Sequence, residues 1–372
     1  YKEKPDVGTF MREWLSLYDS KSGERGIYNG MSAKKTVEQL NERYEDGDGN
    51  HVLRRDPRND FGTNPCSEII LRSREFCNLS EIVVRREDTR ESLKEKVRSA
   101  TILGTFQSTL TEFKYLSKEW KRNCDEERLL GVSLTGIMDN PITNGTRNGL
   151  KELLEELRDV AYETNKEWSD KLGIPTSAAI TCVKPSGTVS QLVDSASGIH
   201  ARHSPFYIRT VRADTKDPLC KLMQDMGFPN EADVTKPDHT TVFSFPMKTP
   251  KGAVCRMDMT ALEQLELWKT YATSWCEHKP SVTISVKEDE WVEVAAWVYE
   301  HFDSISGISF LPFSEHVYRQ APYQDCTEEE YKEALKTMPK NVDWAELSKY
   351  ESQDYTIASQ ELACTAGGCE II

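Results

Sequence analysis

Strand candidates alternate with helix candidates along most of the chain, and this alternation constrains the fold more than any other feature of the sequence. It predicts a largely parallel sheet covered by helices, in an α/β fold. Ligands of such folds bind where loops follow the carboxyl ends of the strands. The strand candidates are 68–71, 82–84, 128–134, 178–183, 240–245, 281–286 and 307–311, and the helix candidates are 91–113, 150–172, 217–226, 261–275, 288–302 and 328–338.

Length and charge exclude several classes of protein. A chain of 372 residues forms one large α/β domain or two domains. Lys and Arg number 47 against 61 Asp and Glu, and the net charge of -14 argues against sequence-independent binding of nucleic-acid polymers. We find neither a leader pattern nor an apolar run of the roughly 18 to 20 residues that cross a bilayer. With ten cysteines that do not form a secreted disulfide pattern, we expect a cytoplasmic protein away from membranes.

One short segment combines three chemically useful side chains. Asn64, Cys66 and Glu68 occupy alternate positions, so in an extended or finger-like segment they would point to one side. The carboxylate can move a proton, the amide can hold a hydroxyl, and the thiol can supply redox or radical chemistry. Cys77 follows eleven residues after Cys66. The alternatives are buried structural cysteines and, less favoured by the spacing, zinc ligands.

A turn rich in small residues follows the strand candidate 178–183 and begins at Lys184. Its backbone amides and hydroxyls are suited to hold a phosphate, although a plain connecting turn would have a similar composition. The sequence predicts no metal site, because the nearest motif, His200-x-x-His203, is interpreted as two polar loop residues. The predicted phosphate-binding residues are Pro185, Ser186, Gly187, Thr188, Val189 and Ser190.

A second pair of cysteines lies at the end of the chain. Cys364 and Cys369 are separated by Thr, Ala, Gly and Gly, a small-residue loop in which two sulfurs can reach disulfide geometry. Because terminal residues are rarely tied down, we predict a mobile tail that visits an internal disulfide and exchanges with another protein's thiol. A terminal metal site is the alternative, and it would need two further ligands.

Taken together, these segments resemble the catalytic half of ribonucleotide reductases, and most closely the monomeric adenosylcobalamin-dependent (class II) ribonucleoside-triphosphate reductases. The matching segments are spread over nearly the whole chain in the order found in that family. They are 22–26, 64–68, 77–79, 131–136, 184–188, 281–283, 295–297, 309–312, 320–323 and the cysteine pair 364–369.

The resemblance implies an architecture and a set of partners. The fold would be the second half of a ten-stranded α/β barrel over 1–350, with a finger loop at about 60–70 and a mobile redox tail at 351–372. The cofactor would be adenosylcobalamin, the substrate a ribonucleotide, and the external reductant thioredoxin or a similar dithiol.

The same resemblance gives each residue a role. Cys66 would become a transient thiyl that takes the ribose 3′ hydrogen, Glu68 would accept the proton of the 3′ hydroxyl, and Asn64 would hydrogen-bond the ribose. Cys77 would help to reduce the 2′ position, and the tail pair would reduce the resulting disulfide.

One departure from the family pattern qualifies this interpretation. In the family, the disulfide partner of the cysteine matched by Cys77 lies in the other half of the barrel. We therefore expect a fragment, or one half of a split enzyme that needs a complementary N-terminal half. The rival hypotheses are a class I large subunit, a thiol–disulfide carrier that uses only the tail pair, and an inactive interaction module with the same fold.

Overall fold

A computed structural model describes residues 3–21, 25–45, 48–313 and 318–351, and the backbone of 362–365 and 368–371. The chain divides into two compact units. Unit 1 comprises Tyr1–Ala201, Gly252–Val254 and Asp258–Phe313, and unit 2 comprises Arg202–Lys251, Cys255–Met257 and Ser314–Ile372. Within the described ranges, no helix combines the length and the apolar character needed to cross a membrane.

The strands and helices are numbered in chain order. The strands are β1 Gly26–Tyr28, β2 Phe61–Thr63, β3 Ile70–Arg72, β4 Asn78–Val83, β5 Leu130–Thr135, β6 Thr181–Cys182, β7 Phe206–Asp214, β8 Asn230–Ala232, β9 Thr240–Lys248, β10 Thr283–Val286, β11 Gly307–Pro312, β12 Tyr323–Asp325, β13 Leu362–Thr365 and β14 Gly368–Ile371. The helices are α1 Val7–Ser20, α2 Gly30–Arg43, α3 Arg90–Gln107, α4 Lys118–Glu127, α5 Leu150–Leu172, α6 Val189–Leu192, α7 Pro218–Asp225, α8 Ala261–Ser274, α9 Trp291–Glu300, α10 Glu328–Thr337 and α11 Leu347–Tyr350.

Unit 1 contains the parallel strands that the alternation predicts. Strands β4, β5 and β6 are parallel neighbours. A parallel bridge joins Val183, just after β6, to Pro280, just before β10, and β10 is parallel to β11. Strand β1 lies antiparallel beside β11. The prediction of a parallel sheet covered by helices is therefore confirmed for this unit.

Helices cover these strands through their apolar faces. The predicted bounds of helix 150–172 are confirmed by α5, which begins after Gly149 and ends where Gly173 adopts a left-handed conformation. Its apolar residues at three- and four-residue spacing all face the core, as do the large side chains of α8. The largest fully buried side chains of unit 1 include Trp268, Trp275, Tyr271, Phe302 and Phe310.

Unit 2 differs from the largely parallel arrangement that the sequence predicts. Its sheet has the order β12–β7–β9–β8, and every neighbouring pair is antiparallel. The strand candidate 240–245 lies in this sheet as part of β9. The chain returns from β7 through the eight-residue helix α7 and the short strand β8, which pairs with β9 in a hairpin-like arrangement. A helix between two strand candidates was therefore not sufficient to predict a parallel crossover.

Some elements differ from the sequence prediction in extent. The predicted helix 91–113 ends at Gln107, and the predicted strand 178–183 keeps ladder pairing only at Thr181–Cys182. Helix α4 was not predicted because its ten residues, KEWKRNCDEE, carry almost no apolar residues. It forms nevertheless with one buried face that includes Asn123, Cys124 and Glu127.

The last two strands form a hairpin of backbone pairs. Strands β13 and β14 are antiparallel, and their register places Cys364 directly opposite Cys369. Residues 352–361, 366, 367 and 372 lie outside the described residues, as does part of the predicted mobile tail. Mobility of the tail stays a prediction.

The turn after β5 provides a test of packing. Gly136 has a φ of +76°, and a Cβ at this position would lie 2.4 Å from the carbonyl oxygen of Val84. Gly173 has a φ of +65°, and no atom lies within 4 Å of the place that a Cβ would occupy there.

We expect Gly173→Ala to lower the free energy of unfolding by about 1–2 kcal/mol, the cost of the left-handed conformation. Gly136→Ala should cost at least about twice as much, because it adds a clash with backbone. Urea unfolding of both variants measures the difference, and equal losses would contradict this interpretation.

Candidate active site

The segment with alternating amide, thiol and carboxylate forms a tight turn between two short strands. Strands β2 and β3 pair antiparallel, with Thr63 opposite Ile70. At the turn the amide of Ser67 donates to the carbonyl of Asn64 at 2.9 Å, and Asn64 Oδ1 accepts from the amide of Ile69 at 3.0 Å. Ser67 has a φ of +66°, which is uncommon for a residue other than glycine. The segment is thus a two-stranded hairpin with a tight turn at its tip.

The turn changes the predicted arrangement of the three side chains. An extended segment would present Asn64, Cys66 and Glu68 on one side, whereas the left-handed residue between Cys66 and Glu68 breaks that alternation. Cys66 is exposed and Glu68 has no exposed surface. The segment is therefore a turn rather than an extended strand, and whether the three side chains face one side stays a prediction. The thiol at the tip and the carboxylate behind it remain neighbours along the chain.

Glu68 is a buried carboxylate with one oxygen still available. Its Oε1 lies 3.3 Å from Lys184 Nζ, and its Oε2 is buried with no hydrogen-bond partner among the described residues. Desolvation lowers the pKa of Lys184, but the neighbouring Glu68, its hydrogen bond to Lys184 and the nearby Cys66 outweigh that effect, so that the net pKa is raised. Lys184 is therefore an ammonium at neutral pH, and its Nζ contacts Glu68 Oε1. A carboxylate oriented through one oxygen, with the other unpaired, is arranged to accept a hydrogen bond or a proton.

Cys77 lies just before β4 and close to the same carboxylate. A Cβ added to Gly131 of β5 would lie 2.4 Å from Leu79 Cδ2 and 3.1 Å from Cys77 Sγ, so glycine at this position leaves room for both side chains. Burial raises the pKa of Cys77 well above its usual value, and the negative charges of Glu68 and Glu75 raise it further. The thiol therefore stays protonated at neutral pH. It can supply a proton together with electrons, which is what a reductant in a buried site needs.

A third thiol lies on the same side of the parallel strands. Gly131 and Ser133 alternate along β5 and face the same way, and Ser133 is the register partner of Cys182 on β6. Burial raises the pKa of Cys182, and the nearby Cys77 is the largest electrostatic contribution to that rise. Cys182 has no exposed surface, and both cysteines are free thiols. The strand face beside Cys77 is thus lined with small and thiol side chains.

The predicted phosphate loop follows β6 and starts at the lysine that binds Glu68. The amide of Lys184 donates to Ser133 Oγ at 2.8 Å, which fixes the start of the loop on β5. Gly187, Thr188 and Val189 are exposed, and their amides donate no hydrogen bond to another described residue. These three amides are therefore available to a ligand.

The outer residues of that loop are used differently. Ser190 is fully buried, and its Oγ lies 3.0 Å from Ser197 Oγ, so this hydroxyl already has a partner. Ser186 is also buried, with a φ of +55°. The carbonyl of Pro185 accepts a hydrogen bond from the hydroxyl of Ser197. Among the six predicted residues, the structure thus leaves the middle three exposed and buries both serines; their role in binding phosphate stays a prediction.

The segment 277–279 holds the hairpin from the side of β6 and was missed by sequence reasoning. His278 Nδ1 accepts from the amide of Ile70 at 3.3 Å, and its Nε2 lies 2.9 Å from the carbonyl of Leu130. The amide of Lys279 donates to the carbonyl of Glu68 at 3.2 Å. In the sequence, this segment is marked only by a run of charged and polar residues between two apolar segments. Because the run has no helical or strand periodicity, it did not indicate a supporting role.

Buried ion pairs support the base of the hairpin. Arg55 contacts Glu127 at 2.7 Å and Glu75 at 3.4 Å, and its Nη1 donates to the carbonyl of Ile70 at 2.9 Å. Burial raises the pKa of Glu75 to about 8, and the adjacent Glu127 carboxylate adds to the rise. Removing one member of such a cluster would leave an uncompensated buried charge. Arg55 therefore ties the strand that carries Ile70 to the buried carboxylates of Glu75 and Glu127.

The two histidines of the predicted loop make hydrogen bonds and ion pairs to residues outside this cluster. His200 Nδ1 lies 3.0 Å from the carbonyl of Ser197, and its Nε2 accepts from the amide of Thr283. His203 Nε2 lies 2.9 Å from Asp325 Oδ1. Both histidines thus have protein partners, as expected of polar loop residues. The side chains of the tail cysteines lie outside the described residues.

Solved structures share this fold. A B12-dependent (class II) ribonucleotide reductase superposes with a TM-score of 0.74 and 22% identity, over 94% of this chain and 50% of that one. A class Id ribonucleotide reductase alpha subunit from Actinobacillus ureae gives a TM-score of 0.55 and 12% identity, over 83% and 62%. The chain therefore shares its fold with about half of the first structure and with 62% of the second.

Sequence comparison narrows the class. An adenosylcobalamin-dependent ribonucleoside-triphosphate reductase from Euglena gracilis is 31% identical over 287 residues, which cover 76% of this chain and 38% of the relative. An enzyme of the same name from Lactobacillus gasseri is 26% identical over 94% of this chain. An enzyme from Dictyostelium discoideum, whose name carries the prefix "probable", is 28% identical over 85% of this chain. No protein-family model matches the chain. The chain belongs to the family of adenosylcobalamin-dependent ribonucleotide reductases, and it spans about half the length of the curated relatives it matches or less.

His278 makes the anchoring of the hairpin sensitive to acid. Burial lowers the pKa of His278 to about 3, and Arg55 adds to the effect. The unfolded chain binds this proton near pH 6.5, so stability should rise with pH between about 3 and 6.5 and be lost as the pH falls through that range. Between pH 7 and pH 5 we expect the wild type to lose about 2 kcal/mol more unfolding free energy than His278→Gln. Urea unfolding at the two pH values measures this, and an equal loss in both proteins would rule out His278 as the titrating group.

Proposed function

We propose that this chain carries the catalytic residues for the adenosylcobalamin-dependent reduction of ribonucleotides, most specifically ribonucleoside triphosphates, to 2′-deoxyribonucleotides for DNA synthesis. The observation that carries the proposal is an exposed thiol, Cys66, that lies two residues before the buried carboxylate Glu68. One oxygen of Glu68 has no hydrogen-bond partner among the described residues. The family relationship gives these residues their chemistry. We expect the reaction to take place in the cytoplasm, where free thiols persist.

The fold supports a half-barrel interpretation. Five parallel strands in unit 1 follow one another through hydrogen bonds or a bridge. The β2–β3 hairpin contacts Lys184, just after β6, and the segment 278–279, which precedes β10. We propose that these strands are half of a ten-stranded α/β barrel and that the hairpin is its finger loop. A complementary N-terminal half, in the same polypeptide or in a second chain, would complete the barrel.

The chemistry of the tip fits the implied cofactor. A bulky corrin needs a thiol that it can approach from outside, and Cys66 is exposed at the end of a turn. The cobalt would come within the corrin, so the described residues need not provide a set of metal ligands. When bound, adenosylcobalamin supplies a carbon-centred radical by homolysis of its cobalt–carbon bond. Cys66 is the residue of this chain that would face it.

The described residues divide the first half of the reaction between them. Cys66, as a thiyl, takes the hydrogen atom from ribose C3′ and becomes a thiol again. The free Oε2 of Glu68 accepts the proton of the 3′ hydroxyl, while Lys184 holds Oε1. Asn64 uses Oδ1 within the turn, which leaves its Nδ2 to donate to a ribose hydroxyl. The exposed amides of Gly187 to Val189 would hold the substrate phosphates.

Cys77 supplies the reduction. Its protonated thiol gives a proton to the departing 2′ hydroxyl, which leaves as water, and with a second thiol it supplies two electrons by forming a disulfide. The hydrogen atom then returns from Cys66 to C3′. The balance is one ribonucleotide and two thiols giving one deoxyribonucleotide, one disulfide and one water. We propose that the second thiol comes from the complementary half.

The tail would restore the dithiol. The register of β13 and β14 places Cys364 opposite Cys369, a pairing that brings two cysteines close enough for disulfide exchange. We propose that this pair reduces the disulfide that Cys77 forms and is itself reduced by thioredoxin or a similar dithiol.

A class I large subunit is the second candidate, and the comparisons favour class II. The class II structure superposes with a TM-score of 0.74 and the class Id subunit with 0.55. Three similar sequences carry names that specify adenosylcobalamin dependence. A thiol–disulfide carrier would need the tail pair alone and would tolerate loss of Cys66.

Turnover by variants tests the proposal. The chain, combined with its complementary half, adenosylcobalamin and dithiothreitol, should reduce a ribonucleoside triphosphate. Cys66→Ser should abolish turnover because a hydroxyl cannot replace the thiyl, and Glu68→Gln should lower kcat by about 10²- to 10⁴-fold because it removes the proton acceptor. Formation of deoxyribonucleotide measures both.

Cys326→Ser is the matched control, since Cys326 is a partly buried free thiol in unit 2. It should keep wild-type turnover. Full activity of Cys66→Ser would refute the proposed chemistry, and robust activity of this chain without a complementary half would refute the half-barrel proposal.

A further inference from the structure

Lys279 occupies an unusual position directly behind the turn that presents Cys66. Its exposed surface is only 2%, and its Nζ donates to Ser67 Oγ at 2.9 Å. Its amide donates to the carbonyl of Glu68 at 3.2 Å, and its own carbonyl accepts from the amide of Val183 at 3.3 Å. One residue thus holds both positions that follow Cys66 and ties them to the end of β6.

The neighbouring strand leaves space for this ammonium group. A Cβ at Gly307 of β11 would lie 2.1 Å from Lys279 Nζ and 2.5 Å from Ser67 Oγ. Gly307 does not have a positive φ, so its backbone conformation does not require glycine. Space for the Lys279–Ser67 contact therefore explains the glycine.

The contact stabilises a turn that is otherwise unfavourable. Ser67 has a φ of +66°, a conformation that costs a non-glycine residue energy and persists when the surroundings hold it. The hydroxyl of Ser67 gives Lys279 a point of attachment one residue from Cys66. Cys66 itself is exposed, so its position depends on the residues beside it.

The contact does not depend on a single charge state. Burial lowers the pKa of Lys279 to about 7, an effect that the nearby Glu68 and Cys276 oppose. As an ammonium, Lys279 donates to Ser67 Oγ; as an amine, it can accept from the same hydroxyl. A buried lysine is costly to stability compared with an apolar side chain of similar length, which favours a role in function.

We propose that Lys279 is a positioning residue for the radical chemistry, and that it acts through Ser67 to hold the turn that presents Cys66. The geometric part of the inference is independent of the reaction. The part that concerns radical chemistry rests on the proposed function.

Hydrogen exchange of the turn tests the geometric part without any turnover. The amides of Ser67 and Ile69 are hydrogen-bonded within the turn and report on its opening. We expect Lys279→Met and Ser67→Ala each to speed exchange of the segment 64–70 by about tenfold or more. The double variant should exchange no faster than the faster single variant, because both changes remove the same contact.

Lys269→Met is the matched control, a change at a half-buried lysine of α8 that should leave this exchange within about twofold of wild type. If Lys279→Met fails to fold, Ser67→Ala alone still decides, since it removes only a hydroxyl. Unchanged exchange in Ser67→Ala, or additive effects in the double variant, would overturn the proposal.

Kinetics of the reconstituted reductase test the functional part. Lys279→Met and Ser67→Ala should lower kcat about 10- to 100-fold while KM stays within about twofold, because a misplaced thiol affects chemistry more than binding. Faster exchange with unchanged kcat would overturn the positioning role. If Cys66→Ser retains turnover while Lys279→Met and Ser67→Ala still speed hydrogen exchange, the proposed function is wrong but the geometric role of Lys279 is not.

Discussion

The site depends on the contact between one segment, 277–279, and one hairpin. His278 and Lys279 bond to Ile70, Glu68 and Ser67, so two consecutive residues hold the turn and the strand that follows it. Because the same segment also pairs with the end of β6, the hairpin and the parallel strands share one support. A thiol at the tip of a short hairpin can be placed reproducibly only with such support, since a two-stranded hairpin is marginally stable alone.

Buried charge is the second feature that organises the site. Glu277 pairs with Arg54 at 2.8 Å and accepts from the amide of Ile180, which fixes the start of the supporting segment. Glu68 lies between two lysines, one that holds its Oε1 and one that binds its backbone carbonyl. Among the described residues, Glu68 Oε2 has no hydrogen-bond partner. Burying an unpaired carboxylate oxygen is costly, and a substrate hydroxyl that bonds to it would recover that cost.

The sequence was informative where local signals are strong. The helix 150–172 and the strands near 130 and 307 follow from apolar periodicity, and the order of short motifs led to Cys66 and Glu68. The antiparallel sheet of unit 2 was missed, because β7 interleaves arginines with its apolar residues and the short helix α7 looked like a parallel crossover. Lys279 could not be found in this way. It lies 212 residues from Ser67 along the chain, and only the fold brings the two together.

The claim that most needs a direct measurement is that Cys66 carries the radical. The chain and its complementary half, mixed anaerobically with adenosylcobalamin, should give a paramagnetic signal from cobalt coupled to a thiyl. That signal should disappear in Cys66→Ser and persist in Cys326→Ser. A signal of equal intensity in Cys66→Ser would contradict the assignment of Cys66.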